Sequence, residues 1–315
     1  MTKIGARTID VGQEQSGRRL DNYLSGILEG VPKSFIYRII RRGEVRVNGG
    51  RARPDRKLKA DDKVRVPPML ETEGSTPIIG AEKTNLVSRS IIFENAHMLV
   101  VNKPAGLAVH AGSGLRFGVI DIVRQLRPEN PDIELVHRLD RDTSGCLILA
   151  KTYPDLRLLQ TQMADPASRK TYLSLLEGVL GVEPIEVSRK LSTVQRGGEK
   201  HTVIAAEGKT AFTTFTQREV IAGYSLVKVG ITTGRTHQIR AHAQSIGHPV
   251  VGDKKYGDES SLKNLRKAGL RRMFLHANTI TLSPTQAGAR ISIEAPLPSD
   301  LEQFLLHLRC RNSAS

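Results

Sequence analysis

The order of strand-like and helix-like stretches in residues 90–309 restricts the fold more than any other feature of this sequence. Short stretches of alternating apolar and polar residues indicate strands, and longer stretches with an apolar stripe indicate helices. The predicted strands are 91–93, 98–101, 146–150, 171–176, 226–232, 279–282 and 291–294, and the predicted helices are 154–163, 236–246 and 300–309. Because they do not alternate as regular β-α-β units would, they predict an α+β fold with a largely antiparallel, mixed sheet.

A separate small module is predicted for residues 18–66. It contains two helical patterns, the second of which is stopped by Gly43, and two strand patterns, the first of which runs into the Asn48-Gly49 turn. Residues 67–89 are rich in proline and show little periodicity, so they are predicted to form a linker to a larger domain at 90–309.

Positive charge is concentrated in the small module. The chain has 47 Lys and Arg against 32 Asp and Glu, which gives a formal charge of +15. Residues 1–67 carry 16 basic and 8 acidic side chains, and therefore about half of the excess in about a fifth of the length. An excess of this size favours a polyanionic partner, although a solvated basic surface is the alternative.

The basic residues of the module share one region of its second helix and the following strand. Arg38 and Arg42 are four residues apart and therefore lie on one helix face. Such a face can follow an RNA phosphate backbone, and the alternative is again a solvated charged face. The predicted RNA-binding residues are Lys33, Arg38, Arg41, Arg42 and Arg46.

Cysteine usage and hydropathy indicate an intracellular setting. Cys146 and Cys310 are far apart in sequence and do not form a disulfide framework, which is typical of a reducing cytoplasm. No apolar run approaches the roughly 20 residues that a membrane helix requires, and the N-terminus lacks the apolar core of a signal peptide. We therefore expect a cytoplasmic protein.

The stretch VHRLDRDTSG at 136–145 is the strongest candidate for chemistry. Its interleaved carboxylates and guanidiniums would keep Asp140 ionised as a nucleophile or general base. A metal site is disfavoured because two arginines would repel the ion, and a hydrolase is disfavoured because the sequence around Ser144 is not a G-x-S-x-G elbow. From residue chemistry alone, a salt-bridged turn that leads into a strand remains an equal alternative.

Further motifs accompany this stretch in a recognisable order. The same chain contains NKPAG at 102–106, RKTYL at 169–173, TGRTHQIRAH at 233–242, GHP at 247–249, GDKKYG at 252–257 and LHA at 275–277. Together they resemble the RluA family of pseudouridine synthases. The Arg19-Leu20-Asp21 opening and the VRVNG stretch at 45–49 resemble the S4 RNA-binding domain. The stretches VPKS at 31–34 and GSG at 112–114, with FGVI at 117–120, resemble a subgroup of the family that modifies large-subunit ribosomal RNA.

The resemblance implies a catalytic fold with a central cleft and assigns roles to single residues. It implies that Asp140 attacks the nucleoside, at the sugar or at the base, after the uridine has been flipped out of the RNA. Arg138 would fill the vacated space, and Tyr172 would stack on the flipped base and could accept the proton from carbon. Arg235, placed just before a predicted N-cap at Thr236, would pair with Asp140, and Leu275 would form the apolar floor of the pocket. His137, His237 and His242 are interpreted as structural.

The implied function is the conversion of specific uridines in 23S, large-subunit ribosomal RNA to pseudouridine, by a monomer without a metal or other cofactor. Three alternatives stay open at the sequence level. The chain could be a synthase of the same family for other ribosomal or transfer RNA uridines, or a non-catalytic RNA-binding factor in ribosome assembly. The third is a water-using nucleosidase, which would need a pair of carboxylates set for acid and base work.

Overall fold

The computed structural model describes residues 3–28, 31, 33–70, 79–111, 117–196, 199–284 and 290–312. The helices are α1 (Leu20–Ile27), α2 (Lys33–Arg41), α3 (Ala81–Arg89), α4 (Val119–Leu126), α5 (Tyr153–Ala164), α6 (Gln238–Ser245), α7 (Glu259–Lys267) and α8 (Ser299–Asn312). The strands of the N-terminal part are β1 (Lys3–Ile4), β2 (Arg7–Asp10), β3 (Arg46–Val47), β4 (Gly50–Arg51), β5 (Lys63–Val66) and β6 (Met69–Leu70). The remaining strands are β7 (Ile91–Glu94), β8 (Met98–Lys103), β9 (Glu134–Leu135), β10 (Ser144–Ala150), β11 (Arg169–Glu177), β12 (Ile185–Arg196), β13 (Glu199–Ile204), β14 (Lys209–Ile221), β15 (Tyr224–Ile231), β16 (Leu275–Leu282) and β17 (Ile291–Glu294).

The N-terminal module packs α1 and α2 on a four-stranded sheet with the order β2-β5-β3-β4. Asn48 and Gly49 both have positive φ, 52° and 78°, which is the geometry that a tight Asn-Gly hairpin turn requires. The sequence placed the start of this module at residue 18. The strand β2 lies before that point and pairs with β5 along its whole length, so the folded module also includes residues 7–10.

The large domain is built on an eleven-stranded mixed sheet. Its main order is β13-β12-β14-β15-β11-β16-β10-β8-β7, with β17 added to β16 and β9 added to β10. Its strand pairs are antiparallel except β10 with β16, which run parallel. The prediction of an α+β fold with a largely antiparallel sheet is confirmed.

The segment predicted to be a linker is only partly irregular. Residues 71–78 lie outside the described part, but Ala81–Arg89 forms the helix α3. Val87 of α3 is fully buried in the core cluster that also contains Val119 and Val123 of α4. The sequence prediction was therefore wrong for α3, because one buried side chain in a short, polar helix gives too weak a periodic signal.

Ion pairs of one buried arginine join the module to the large domain. Arg18, just before α1, is 3% exposed and donates hydrogen bonds to Asp132 Oδ1 and Glu134 Oε1, each at 3.0 Å. Gln15 Nε2 donates to the other oxygen of Asp132 at 3.1 Å. The module is thus held against the strand β9, which pairs with the strand that follows the Asp140 loop.

Among the described residues, no helix has both the length and the apolar character that crossing a membrane would need.

Candidate active site

A single pocket collects the residues to which the sequence assigned catalytic and base-flipping roles. It opens where the loop before β10 faces β11, β16 and the start of α6. Its lining includes all five of those residues, namely Arg138, Asp140, Tyr172, Arg235 and Leu275. The motifs that carry these five residues are therefore parts of one site.

The buried Lys103 holds the loop that carries Asp140 in place through hydrogen bonds to backbone carbonyls. The Lys103 ammonium donates to the backbone carbonyls of Pro104, Leu107 and Arg141 at 2.8, 2.9 and 3.0 Å. Gly106 N–H donates to the Arg141 carbonyl as well, at 2.8 Å. Burial lowers the pKa of Lys103 to about 7, and the nearby charges of Asp142 and Asp140 oppose that shift. The NKPAG motif therefore supports the loop that carries Asp140 and does not line the pocket.

Gly145 sets the path of the chain out of the loop. Its φ of 114° lies in the region that favours glycine, and a Cβ atom here would lie 2.2 Å from the carbonyl oxygen of Ala277. Gly145 and Ala277 are partners in the parallel pairing of β10 with β16. Only glycine permits this close approach, which brings Asp140 beside Leu275 at the start of β16.

The arginine that pairs with Asp140 is Arg240, not Arg235. Arg240 Nη1 donates to Asp140 Oδ2 at 3.2 Å. Arg235 is exposed at the rim, and its Nε donates to the carbonyl of Thr210 at 3.4 Å. The sequence prediction of an Arg235–Asp140 pair was therefore wrong.

The error follows from where α6 begins. The N-cap is His237, in the left-handed conformation with φ 50°, and not Thr236. Arg235 therefore precedes the helix, whereas Arg240 lies in its first turn, where every residue from Gln238 to Ala243 is buried. Because six consecutive residues are buried, hydrophobic periodicity gave no signal that singled out Arg240.

A second carboxylate orients Arg240. The fully buried Asp253 accepts hydrogen bonds from Arg240 Nε at 2.6 Å and Nη2 at 2.8 Å. Its Oδ1 also accepts a hydrogen bond from the backbone N–H of Lys255 at 2.8 Å. The guanidinium carbon lies 4.9 Å from the ring centre of Tyr256. Burial by itself would lower the pKa of Arg240, but the bond to Asp253 and the charges of Asp253 and Asp140 raise it, so the guanidinium stays charged.

The apolar wall of the pocket is formed by Tyr172, Ile231 and Leu275. Tyr172 on β11 packs with Leu275 and Ile231 in one buried cluster. Burial raises the pKa of the Tyr172 phenol, and the nearby Asp140 raises it further. Its ring can therefore stack on a flat ligand, while its hydroxyl remains protonated.

The three histidines that were interpreted as structural do not share one role. His137 Nε2 accepts the N–H of Ile148 at 3.1 Å, and burial lowers its pKa to about 4. His242 Nδ1 lies 2.9 Å from the hydroxyl of Thr213 in the core. His237 differs, because it lines the pocket with Nε2 3.9 Å from Asp140 Oδ2. Sequence reasoning missed it as well as Arg240.

The basic face of the module is largely exposed. Arg38 and Arg41 lie over the rings of Phe35 and Tyr37, at 4.6 and 5.8 Å, which holds both guanidiniums near the helix surface. Arg42 is exposed, with Glu44 at 3.9 Å, and Arg46 is half-buried at the start of β3. Lys33 begins α2, and its side chain lies outside the described part of the chain.

The metal-ligating and thiol side chains of the described residues are the next feature of the molecule. Within them, no group of three or more His, Cys, Asp or Glu side chains is arranged to hold a metal ion. Cys146 is buried without a disulfide, and burial raises the pKa of its thiol to about 11. That thiol is therefore unreactive at neutral pH.

Comparison with known proteins gives consistent matches over both domains. Residues 97–245 match the RNA pseudouridylate synthase family, and residues 18–64 match the S4 domain. The chain is 44% identical to ribosomal large subunit pseudouridine synthase C of Yersinia pestis, over 96% of this chain and 95% of that protein. It is 42% identical to the protein of the same name from Escherichia coli strain K12, over 96% and 97%.

Solved structures agree in fold. Human RNA pseudouridylate synthase domain containing 4 superposes with a TM-score of 0.60 at 24% identity, covering 72% of this chain and 96% of that one. Human RNA pseudouridylate synthase domain containing 1 gives 0.52 at 30% identity, over 66% and 83%. The two solved structures therefore share the fold of most of this chain.

Proposed function

We propose a substrate and a catalytic role for each pocket residue from the premise that this chain belongs to the RNA pseudouridylate synthase family. Members of that family isomerise uridine to pseudouridine in RNA, so the chain is an enzyme of this kind. The proposed substrate is a set of uridines in 23S, large-subunit ribosomal RNA. The names of its full-length relatives support that choice, and so does the S4 domain with its exposed arginines.

The observation that carries the catalytic proposal is the Asp140 carboxylate in the pocket, with Arg240 on one oxygen. Its side chain is 21% exposed, so a ligand in the pocket can reach the other oxygen. The guanidinium holds the carboxylate in a fixed orientation, as attack on a nucleoside requires. Arg240 therefore takes the supporting role that the sequence had given to Arg235.

The apolar wall suits a flipped uracil. Uridine in folded RNA is stacked and must leave the stack before a side chain can reach its glycosidic bond. Tyr172 offers a ring for stacking, which is worth about 1–3 kcal/mol per base, and Leu275 closes the pocket beneath it. Arg138 is exposed at the mouth of the pocket, where it can enter the space that the base vacates.

The proposal also includes the location of the enzyme and its oligomeric state. The RNA places the enzyme in the cytoplasm, where ribosomal subunits are assembled. One chain carries the complete pocket and the basic module, so a monomer without a cofactor is sufficient.

The deciding experiment maps pseudouridines in ribosomal RNA from cells that carry wild-type protein, Asp140→Ala or Asp142→Ala. Asp142 is the matched control because it is an exposed carboxylate two residues away that does not line the pocket. We expect Asp140→Ala to lose specific pseudouridines of the large subunit and Asp142→Ala to retain them. An unchanged pattern in Asp140→Ala would leave only an RNA-binding assembly role, and free uracil as the product would indicate a nucleosidase.

A further inference from the structure

The loop that carries Asp140 ends on a chain of buried hydrogen bonds that lies outside the pocket. Ser144, the first residue of β10, follows this loop and is fully buried. Its Oγ lies 2.9 Å from Nδ1 of His276, which is also fully buried and follows Leu275 on β16. The two residues are partners in the parallel pairing of β10 with β16. This bond therefore ties the end of the Asp140 loop to the strand that carries the pocket floor.

The other partner of His276 fixes the direction of that bond. His276 Nε2 lies 3.0 Å from the carbonyl oxygen of Ala295. A carbonyl can only accept, so Nε2 carries the proton and Nδ1 has a lone pair. Burial lowers the pKa of His276 to about 4, in agreement with a neutral ring. Ser144 Oγ–H therefore donates to Nδ1, and its oxygen keeps its lone pairs for another donor.

That other donor is Arg272. Its Nη1 donates to Ser144 Oγ at 3.0 Å, and its Nε and Nη2 donate to Asp300, in the first turn of α8, at 2.7 and 3.3 Å. The side chain of Arg272 is 14% exposed and that of Asp300 is 54% exposed. Because the carboxylate is in contact with solvent, the ion pair contributes little to stability. It gives the guanidinium a fixed orientation instead.

The backbone of Arg272 contacts the other half of the site. A Cβ atom on Gly252 would collide with the Arg272 carbonyl oxygen, so the two backbones are in close contact. Gly252 directly precedes Asp253, the carboxylate that orients Arg240. Arg272 thus lies between the segment that holds Arg240 and the loop that holds Asp140.

We propose that Arg272 is a positioning residue that, through Ser144, holds the Asp140 loop at a fixed place relative to the pocket floor. Arg272 does not line the pocket itself. The inference rests on the proposed function, because the carboxylate that it places is the proposed nucleophile. It also gives α8 a part in the reaction, although α8 lies beyond the residues 97–245 that match the family.

The loop is then held at two points after Asp140. Lys103 binds the carbonyl of Arg141, and Arg272 binds the hydroxyl of Ser144. Burial, and after it the charge of Arg272, lowers the pKa of Lys103 to about 7, so the two cations lie near each other. A reacting group that is displaced by about 1 Å loses about 100-fold in rate. Loosening either point should therefore slow the reaction without any change in the groups that line the pocket.

The test uses the purified full-length enzyme with a ribosomal RNA substrate, and the variants Arg272→Met and Ser144→Ala. It measures the single-turnover rate at saturating RNA separately from the affinity for RNA. We expect each variant to lower the rate about 10-fold or more, because the nucleophile is misplaced. The dissociation constant for RNA should change by less than about twofold, because neither residue lines the pocket.

The double variant distinguishes positioning from a general loss of structure. If Arg272 acts through Ser144, Arg272→Met should cost little further rate in the Ser144→Ala background. Two independent effects would multiply instead. Circular dichroism at the assay temperature checks that each variant is folded. If Arg272→Met does not fold, Arg272→Lys takes its place, because lysine keeps the charge beside Asp300 but has no fork of donors that reaches Ser144 as well.

Arg127→Met is the matched control. Arg127 also gives two bonds to a carboxylate, from Nε and Nη2 to Glu94 at 3.1 and 2.8 Å, and its side chain is 27% exposed. Glu94 belongs neither to the Asp140 loop nor to the pocket. The control should keep both the rate and the affinity of the wild type.

The two proposals fail in different ways. A wild-type rate in the Arg272 variant, or losses that multiply in the double variant, would overturn the positioning role. Weaker RNA binding with an unchanged rate at saturating RNA would overturn it too, because Arg272 would then be an RNA contact. If the wild-type enzyme itself makes no pseudouridine, the proposed function fails first.

Discussion

Replacing Asp253 by Asn tests the arrangement of charge around Asp140. The substitution keeps the size of the side chain but removes its charge, and it turns one amide N–H₂ toward the guanidinium of Arg240. Two donors would then face each other where bonds of 2.6 and 2.8 Å stood. Removing one partner of a buried, hydrogen-bonded ion pair costs about 3–5 kcal/mol. Because Arg240 keeps one bond to Asp140, we expect the lower end, about 3 kcal/mol.

Urea unfolding followed by circular dichroism measures this loss. Thermal unfolding followed by the same signal measures the change in Tm, and at roughly 2 °C per kcal/mol for a chain of this size the expected fall is about 6 °C. We also expect slower single-turnover formation of pseudouridine, because Arg240 is then free to move and binds Asp140 alone.

Asp300→Asn is the matched control. Asp300 also receives two bonds from an arginine, Arg272, at 2.7 and 3.3 Å, but its side chain is 54% exposed. Exposed pairs contribute about 0–1 kcal/mol. If Asp253→Asn destabilises the protein no more than Asp300→Asn does, the reasoning about the buried pair is refuted.

Three further predictions concern the framework of the site. Gly145→Ala should destabilise the fold by about 3 kcal/mol or more in urea unfolding, because its Cβ atom would collide with the Ala277 backbone; Gly181→Ala, where the added Cβ meets open space, should change stability little. Lys103→Met should leave the part-buried carbonyls of Pro104 and Leu107 without this donor, at about 1–3 kcal/mol for each unpaired group, and should slow turnover, whereas the Arg141 carbonyl keeps the N–H of Gly106; a fully active, equally stable variant would contradict this role. Burial lowers the pKa of His276 to about 4, so the unfolded chain binds a proton there at higher pH than the folded one. Stability should therefore be complete above about pH 6.5 and should fall towards pH 4, with a smaller fall in His276→Gln; equal slopes in a pH series of urea titrations would argue against this assignment.

The strands and helices that were predicted correctly are those that bury one clear face. The predicted strand 291–294 has the bounds of β17, and the predicted helices 154–163 and 300–309 lie within three residues of the bounds of α5 and α8. The strands β12, β13 and β14 were missed, although they form one end of the main sheet. In β14 the exposed side chains include Phe212 and Val220, and the buried ones include Thr213, so residue type does not follow burial and the periodic signal is lost.

Prediction of the site residues from the sequence was limited in a different way. The family resemblance was enough to predict that Asp140, Tyr172 and Leu275 belong together, because each stands at a fixed place in a motif of that family. It could not choose between Arg235 and Arg240, since both belong to the same motif. That choice depends on the left-handed backbone at His237, which starts the helix two residues later than the sequence indicated. A conformation of this kind is enforced by tertiary contacts, such as the bond from His237 to Tyr256, and a single sequence does not encode it locally.

The formal charges of the pocket explain how a basic protein can present a carboxylate to a polyanion. Asp140, Arg240 and Asp253 together carry one net negative charge, and they lie at the inner end of the site. Arg138 and Arg235 are exposed at its mouth. Phosphates are therefore attracted to the rim and repelled from the interior, whereas an uncharged uracil meets no such barrier. Under the proposed function, this gradient sorts the two parts of a nucleotide: the backbone stays at the rim, and only the base enters to meet Asp140. Reversing the charge at the rim, and not within the pocket, is accordingly the change that should weaken RNA binding while it leaves the pocket intact.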